Sequence, residues 1–348
     1  MQVDELFMKR CLELAGNGMG NVAPNPMVGC VIVHNGLIIG EGYHAVFGGT
    51  HAEVNAVNSV RNTELLPFST LYVNLEPCSH FGKTPPCADF ILEKGIRRVV
   101  IGTADPSEKV EGRGIEKMKS VGVEIKLGVL DEECRELNKR FFTFHTKKRP
   151  YVILKWAQTL DGYIDKDRKT LAPKINWITD KNTRMLVHRW RSEEQAILTG
   201  TKTVLLDNPQ LTVREWSGNN PLRLVIDENL LVNKNSKVLD KSADTIVFNS
   251  KKDEIIDNVE WLKIDFHNEI ITQILSILFK RDILSLIVEG GRETLQSFID
   301  NGFWDEARIF TGNCFFFGGV RAPEIKGIHQ NTRSIGEDKL SFIKNQDI

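Results

Sequence analysis

The 348-residue chain is long enough for two domains, and its 41% hydrophobic and 26% charged residues are an ordinary globular balance. A formal net charge of −1 leaves no electrostatic footprint for nucleic acid or a membrane surface. There is no apolar run of the ~18 residues a transmembrane helix needs, and the acidic start Met1-Gln2-Val3-Asp4-Glu5 lacks the regions of a secretion signal. A cytoplasmic protein is expected, in which the six cysteines are metal ligands, catalytic thiols or core residues rather than disulfides.

Asp4–Ala15 has apolar residues at helical spacing. Met27–Val33 and Leu37–Tyr43 read as strands joined at His34-Asn35-Gly36, where Asn-Gly between apolar runs signals a hairpin. A helix is expected to begin near His51, then a strand over Leu71–Leu75. The next helix runs from Pro85-Pro86 to Gly95, with proline at its start and glycine at its stop. Strand Arg98–Gly102, helix Gly114–Ser120, strand Val123–Leu127 and helix Asp131–Phe144 complete an α/β/α layered domain. The polar connection Lys147-Lys148-Arg149-Pro150 marks the boundary, giving domains 1–146 and 147–348. Beyond it the alternation restarts. Strands are expected at Tyr151–Trp156, Ala196–Thr199, Leu222–Ile226, Thr245–Phe248 and Leu284–Val288, and helices at Asp180–Trp190, Asn268–Phe279 and Thr294–Asp300. This pattern predicts a second α/β domain on a largely parallel sheet.

Two stretches carry chemistry. One is His51-Ala52-Glu53; the other runs from Glu76-Pro77-Cys78 to Pro85-Pro86-Cys87. One imidazole and two thiolates suit tetrahedral zinc and leave a fourth position for water, whose pKa the metal lowers to about 7. Cys87 falls in the first turn of its helix, where the macrodipole favours a thiolate. On a regular helix His51 and Glu53 diverge by about 200°. They share a site only if His51 lies at or before the first turn, and Glu53 is then placed to move protons. Cys11 and Cys30 lie in apolar patterns and read as core, while Cys134 and Cys314 have no ligand-like neighbours.

This order resembles the cytidine-deaminase-like superfamily, whose signature is His-x-Glu followed by Pro-Cys-x-x-Cys. Here eight residues separate Cys78 from Cys87. Together with Pro24-Asn25-Pro26, Gly42-Tyr43-His44, Ser79-His80, Gly82-Lys83-Thr84 and Asp105-Pro106, the first 145 residues closely resemble the deaminase half of the bifunctional riboflavin-biosynthesis deaminase–reductases. The resemblance implies one zinc per chain on His51, Cys78 and Cys87, with Glu53 as the catalytic proton shuttle. Zinc hydroxide would deaminate 2,5-diamino-6-(5-phosphoribosylamino)pyrimidin-4(3H)-one, with substrate contacts at Asn25, His44, Lys83 and Asp105.

In the second half, Leu284–Val288 leads through Glu289-Gly290-Gly291 into a helix. Glycines there let amides approach a phosphate, although a tight turn is the plainer reading of a bare Gly-Gly. Lys155-Trp156-Ala157-Gln158-Thr159-Leu160-Asp161-Gly162, Asn176-Trp177-Ile178-Thr179, Gly200-x-x-Thr203 and Asp207-Asn208-Pro209-x-Leu211-Thr212-x-Arg214 are similar to the reductase half of the same family, over residues 150–320. That likeness implies a dihydrofolate-reductase-like fold that uses NADPH to reduce the ribosyl group to ribityl. By it, Ala157, Trp177, Thr203, Asp207, Glu228, Gly291, Arg292, Glu293 and Thr294 line the cofactor site. Lys155, Ile175, Arg191, Leu211, Arg214 and Glu289 face the substrate, with Arg191 and Arg214 as phosphate forks and Lys155 and Glu289 as candidates for polarising the sugar carbonyl.

Three stretches depart from that family's pattern. The loop from Asp165 through Lys166–Lys174 is longer, and Cys314-Phe315-Phe316-Phe317 replaces a proline-lysine-containing segment. Asp227-Glu228 puts a carboxylate where a small hydroxylated residue is usual, so discrimination for NADPH over NADH is expected to be weaker, with Arg292 as a source of compensating charge. A nucleic-acid-editing deaminase would carry a basic groove, which the net charge disfavours, and a scaffold with structural zinc would close the fourth position, His80 being the obvious ligand. The expected partner is a phosphorylated pyrimidine, with no nucleic acid or membrane, and the assembly a homo-oligomer.

Overall fold

The computed structural model describes residues 3–79, 85–107, 112–168 and 175–346, in two compact units, Met1–Lys148 and Arg149–Ile348. The division falls within the polar connection Lys147-Lys148-Arg149-Pro150. The last helix of the first unit runs to Lys147 and stops at Lys148, which turns to φ 54. Arg149 then precedes Pro150, and a residue before proline avoids the helical region.

The first unit comprises α1 (Val3–Gly16), β1 (Gly29–His34), β2 (Leu37–Tyr43), α2 (Ala52–Asn58), β3 (Thr70–Leu75), α3 (Cys87–Glu93), β4 (Arg98–Thr103), α4 (Arg113–Ser120), β5 (Glu124–Leu127), α5 (Asp131–Leu137) and α6 (Lys139–Lys147). The sheet order is β2-β1-β3-β4-β5, with β1 antiparallel to both neighbours and β3, β4 and β5 parallel. Alternate strand residues feed two cores. Ile32, Val73, Val99 and Ile101 pack against Ala56 of α2, Ile91 of α3 and Met118 of α4, while Val31, Tyr72 and Val100 pack against Met8 and Cys11 of α1 and Cys134 of α5. The result is the α/β/α sandwich expected. Cys11 and Cys30 are fully buried, as their patterns implied.

The helix expected over Asp131–Phe144 breaks at Asn138 (φ −99, ψ 21). Asn138 is buried, and its amide accepts from Met27 N at 2.8 Å and donates to Met27 O at 2.9 Å. Such side-chain bonds compete with helix continuation.

The second unit comprises β6 (Tyr151–Thr159), β7 (Tyr163–Asp165), α7 (Lys181–Glu193), β8 (Ala196–Gly200), α8 (Thr201–Asp207), β9 (Leu222–Ile226), β10 (Thr245–Asn249), β11 (Glu254–Ile256), β12 (Val259–Lys263), α9 (Ile270–Lys280), β13 (Ser285–Val288), α10 (Arg292–Asp300), β14 (Glu306–Gly312), β15 (Val320–Arg321), β16 (Ile328–Ile335) and β17 (Asp338–Lys344). The large sheet runs β11-β12-β10-β9-β8-β13-β6-β14-β17-β16. Every pair from β12 to β14 is parallel, while β11, β17 and β16 are antiparallel additions. Leu154, Leu198 and Val288 face α9 and α10; Ile153, Ile197 and Ile287 face the α7 side. Lys155 and Thr199, two residues further along their strands, and Glu289, one residue past the end of β13, lie on that second side near the carboxyl ends.

Several elements were not expected. β14 carries buried Glu306 and Arg308, which interrupt its apolar run and pair with each other at 2.6 Å. β16 is an edge strand exposed along nearly its whole length, so it carries no hydrophobic alternation.

Candidate active sites

In the first unit, α2 sits directly on β2 because Gly40 and Gly42 leave room. A Cβ on Gly42 would lie 2.3 Å from Ala56 N, and one on Gly40 2.6 Å from Ala56 O. The close approach fixes the start of α2. His51 is its N-cap, extended at φ −74 and ψ 162, so His51 and Glu53 need not diverge as they would on a continuous helix. Cys87 opens α3, and the loop from β3 brings Cys78 to it. Cys87 N donates to Cys78 Sγ at 3.3 Å and Ala88 N to Cys78 O at 3.1 Å, which occupies two of the unpaired donors of a helix start.

His51 Nδ1 lies 3.2 Å from Cys87 Sγ and 3.6 Å from Cys78 Sγ. Tetrahedral zinc with bonds of about 2.0 Å to nitrogen and 2.3 Å to sulfur holds such atoms ~3.5 Å apart. The donor set and spacing therefore fit zinc. Beside them Glu53 is buried, and burial together with the negative charge of Cys78 pushes its carboxyl up to about 7. The two thiols polarise each other. Hydrogen bonding to Cys87 and His51 brings Cys78 down to about 4, while contact with Cys78, followed by burial, drives Cys87 far above the ordinary thiol range.

His44 is buried, with Nδ1 3.0 Å from Thr50 O and Nε2 3.1 Å from Asn25 Nδ2, and its ring centroid lies 5.5 Å from that of His51. Asn25, His44 and His51 are thus brought together. Asp105 is buried at the carboxyl end of β4. Lys83 and His80 lie outside the described residues.

In the second unit, Lys155 on β6, Glu289 after β13 and Arg191 on α7 form a buried charged cluster. Arg191 donates to Glu289 through Nη2 at 2.8 Å and Nε at 3.2 Å, and Lys155 Nζ is 3.7 Å from Glu289 Oε2. Burial alone would raise the Glu289 carboxyl, but Arg191 and Lys155 hold it at about 2. Burial lowers Lys155, with Glu289 opposing. Arg214 Nη1 donates to Thr212 Oγ1 at 3.1 Å, and Arg191 Nη1 to the Thr212 carbonyl at 3.3 Å, so both arginines converge on that segment. The Leu211 side chain is buried in the core, with its backbone at φ 58. Ile175 is exposed.

The glycine stretch forms a second cluster. β8 and β13 are adjacent parallel strands ending at Gly200 and Glu289-Gly290. A Cβ on Gly200 would lie 2.7 Å from Thr294 Oγ1, one on Gly290 2.9 Å from Thr294 Cβ, and one on Gly291 3.2 Å from Thr203 Oγ1. Two helix starts, α8 and α10, therefore stand side by side at the carboxyl ends of the sheet, where open α/β sheets bind ligands. Ala157 lines β6 nearby in register, half-buried. Trp177 is exposed under the Arg184 guanidinium at 4.3 Å. Asp207 receives Arg168 at 2.6 Å, a residue just after β7 that also pairs with Asp165 at 2.6 Å. Arg292, expected to supply charge near Glu228, instead points to Glu324 at 3.7 Å, and Glu293 faces Lys202 at 3.3 Å.

Comparison with known proteins agrees with both halves. Residues 1–103 match the cytidine and deoxycytidylate deaminase zinc-binding region, and residues 150–340 match the RibD C-terminal domain. The riboflavin biosynthesis protein RibD of Aquifex aeolicus is 41% identical over 99% of this chain and 99% of its own. The chain belongs to the RibD family. It is therefore a bifunctional deaminase–reductase of riboflavin biosynthesis with a zinc-binding deaminase domain and a dihydrofolate-reductase-like reductase domain. The RibD of Escherichia coli K12 is 36% identical over 88% of this chain and 87% of its own. A crystal structure of a diaminohydroxyphosphoribosylaminopyrimidine deaminase/5-amino-6-(5-phosphoribosylamino)uracil reductase from Thermotoga maritima superposes with a TM-score of 0.88, at 41% identity, covering 99% of each chain.

Three residues that shape these RibD sites carried no separate functional reading in the sequence. Glu76 accepts from the backbone N–H of Asp105, Gly112, Gly114 and Ile115 at 3.1–3.3 Å, pinning the loop after β4 to the start of α4. Asn74 donates to Met27 O at 3.0 Å and accepts from Gly29 N at 2.8 Å, which seats the segment that carries Asn25. The lone Asn in the otherwise apolar run Leu71-Tyr72-Val73-Asn74-Leu75 was the available signal. His188 on α7, buried one turn before Arg191, accepts from Arg214 N at 3.0 Å, and burial with the nearby Arg191 and Arg214 charges lowers it to about 4.

Proposed function

We propose that the first unit deaminates 2,5-diamino-6-(5-phosphoribosylamino)pyrimidin-4(3H)-one and that the second reduces the ribosyl group of the deaminated product to ribityl with NADPH. The observation that carries this reading is the convergence of His51, Cys78 and Cys87 beside buried Glu53. Those three ligands would hold one zinc per chain, which would supply a water acidified towards pH 7. Glu53 takes one proton from the attacking water and gives it to the ring nitrogen, then takes the proton of the new hydroxyl and gives it to the departing amine, which leaves as ammonia. Asn25 and His44, hydrogen-bonded to each other, orient the pyrimidine, with Lys83 and Asp105 as further substrate contacts.

In the second unit, Gly291, Arg292, Glu293 and Thr294, with Ala157, Trp177, Thr203, Asp207 and Glu228, hold the dinucleotide at the strand ends. Lys155, Arg191, Arg214 and Glu289, with Ile175 and the backbone of Leu211, hold the phosphorylated sugar. Lys155 is the group that can donate a proton to the sugar ring oxygen as its bond to C1′ breaks and hydride arrives at C1′, because Glu289 holds its ammonium in a buried site. A cytoplasmic location fits the near-neutral charge and the absence, among the described residues, of any helix long and apolar enough to cross a membrane. A homo-oligomer fits the exposed edge strand β16.

The test is a coupled assay on the full chain loaded with zinc, following ammonia release and NADPH oxidation separately. Ammonia release from the diaminopyrimidinone, followed by oxidation only of the deaminated product's reductant, is expected. Zinc-replete protein that releases no ammonia sinks the deaminase assignment; product without NADPH oxidation sinks the reductase assignment.

A further inference from the structure

We propose that Glu228 sets the dinucleotide choice of the reductase half, so that NADH is accepted about as readily as NADPH. The inference rests on reading the ends of β8 and β13 as the dinucleotide site. β9 is the parallel neighbour of β8, and Thr201, the first residue of α8, donates its hydroxyl towards Ile226 O at 2.7 Å and Asp227 Oδ1 at 2.9 Å. The end of β9 is thereby locked beside the start of α8. A dinucleotide with its pyrophosphate on the glycine ends of two parallel strands lays its adenosine ribose over the end of the next strand, where an acidic side chain accepts hydrogen bonds from ribose hydroxyls.

Asp227 is not available for this. Its carboxylate accepts from Leu231 N at 3.0 Å and Val232 N at 2.9 Å as well as from Thr201. Glu228 is next in line. Its carbonyl accepts from Ser250 N and Ser250 Oγ, each at 3.0 Å, which fixes the backbone. Its side chain is exposed, and among the described residues its carboxylate takes no hydrogen bond or ion pair. The cations at the two helix starts are engaged, Lys202 with Glu293 at 3.3 Å and Arg292 with Glu324 at 3.7 Å. Lys251, which follows Ser250, is exposed and has no carboxylate partner among the described residues. A ribose 2′-phosphate therefore meets one free carboxylate and one free ammonium, whose effects oppose each other. An unmodified ribose diol meets a hydrogen-bond acceptor.

The experiment measures KM and kcat for NADPH and NADH on the full-length parent, Glu228→Ser and Glu228→Gln, with the deaminated pyrimidine as substrate. The parent should show kcat/KM values for the two donors within about tenfold of each other, and a solvent-screened like-charge contact of about 1 kcal/mol makes the expected gain threefold to tenfold in KM for NADPH on removing the charge. KM for NADH should move the opposite way, because the charged ribose acceptor is replaced by a weaker neutral one. Raising the salt concentration should shrink the NADPH gain, since the repulsion is screened. A parent preferring NADPH by about a hundredfold or more, or variants in which both constants move together or neither moves, overturns the role of Glu228. A parent that oxidises neither dinucleotide while still releasing ammonia overturns the underlying cofactor reading instead, and the role of Glu228 falls with it.

Discussion

Replacing Glu289 by glutamine keeps the shape of the side chain and removes the negative charge that pairs with Arg191 and Lys155. In the folded protein the carboxylate takes two bonds from Arg191, at 2.8 and 3.2 Å, with Lys155 3.7 Å away, and all three side chains are largely buried. A carboxyl held at about 2 instead of 4.5 contributes about 3 kcal/mol to folding at neutral pH. Breaking a buried pair by removing one partner typically costs about 3–5 kcal/mol, because the remaining charge is left uncompensated. The two routes agree. For a unit of this size each kcal/mol lowers the melting midpoint by about 2–4 °C, so Glu289→Gln should melt about 10 °C lower in its second unit at pH 7. The sign of the pH dependence follows from the lowered carboxyl. The stabilisation is complete above pH 4.5 and is lost as pH falls towards 2, so parent and variant should converge below pH 4.5. Differential scanning of the full chain at pH 7 and at stepwise lower pH measures this. A variant melting within a degree of the parent at pH 7, or a gap that widens on acidification, refutes the reasoning.

Cys78→Ser or Cys87→Ser should each lose zinc on dialysis, since a hydroxyl is a poor substitute for a thiolate; metal analysis that finds full occupancy in both would remove them from the ligand set. Glu53→Gln should keep its zinc and fold yet lose about 10²- to 10⁴-fold in deamination, and should still reduce already deaminated substrate, because the reductase residues belong to the other unit. Near-normal ammonia release would end the proton-shuttle role. Gly42→Ala should lower both zinc affinity and stability, since its Cβ would sit 2.3 Å from Ala56 N and push away the helix that carries His51 and Glu53; zinc titration that matches the parent would contradict this. His188→Gln should flatten the acid side of the stability profile. Its imidazole is held neutral at about 4 rather than 6.5, so the parent loses stability as pH falls from 6.5 towards 4, and urea midpoints across that window would show whether the variant lacks the slope.

Much of the deaminase site was legible because its chemistry is local. His51-Ala52-Glu53, Glu76-Pro77-Cys78 and Pro86-Cys87 lie at helix starts and strand ends that punctuation residues announce, and one imidazole with two thiolates is a donor set suited to an open zinc site. Apolar alternation likewise marked β1, β3, β4, β8, β9, β10 and β13, because buried strands must present hydrophobic faces. What the sequence left open depends on partners distant along the chain. Asn138 breaks a helix for the sake of Met27, 111 residues away, and β14 hides among apolar strands behind the paired charges of Glu306 and Arg308. The same holds for charge. The pairing of Asp227 and of Arg292 was decided by Thr201, Leu231, Val232 and Glu324, which only the folded chain brings into reach. Residue type and local spacing determine which chemistry is possible, since bond-forming capacity belongs to the side chain. Burial and pairing determine which of those groups remain free to act, and they belong to the tertiary structure.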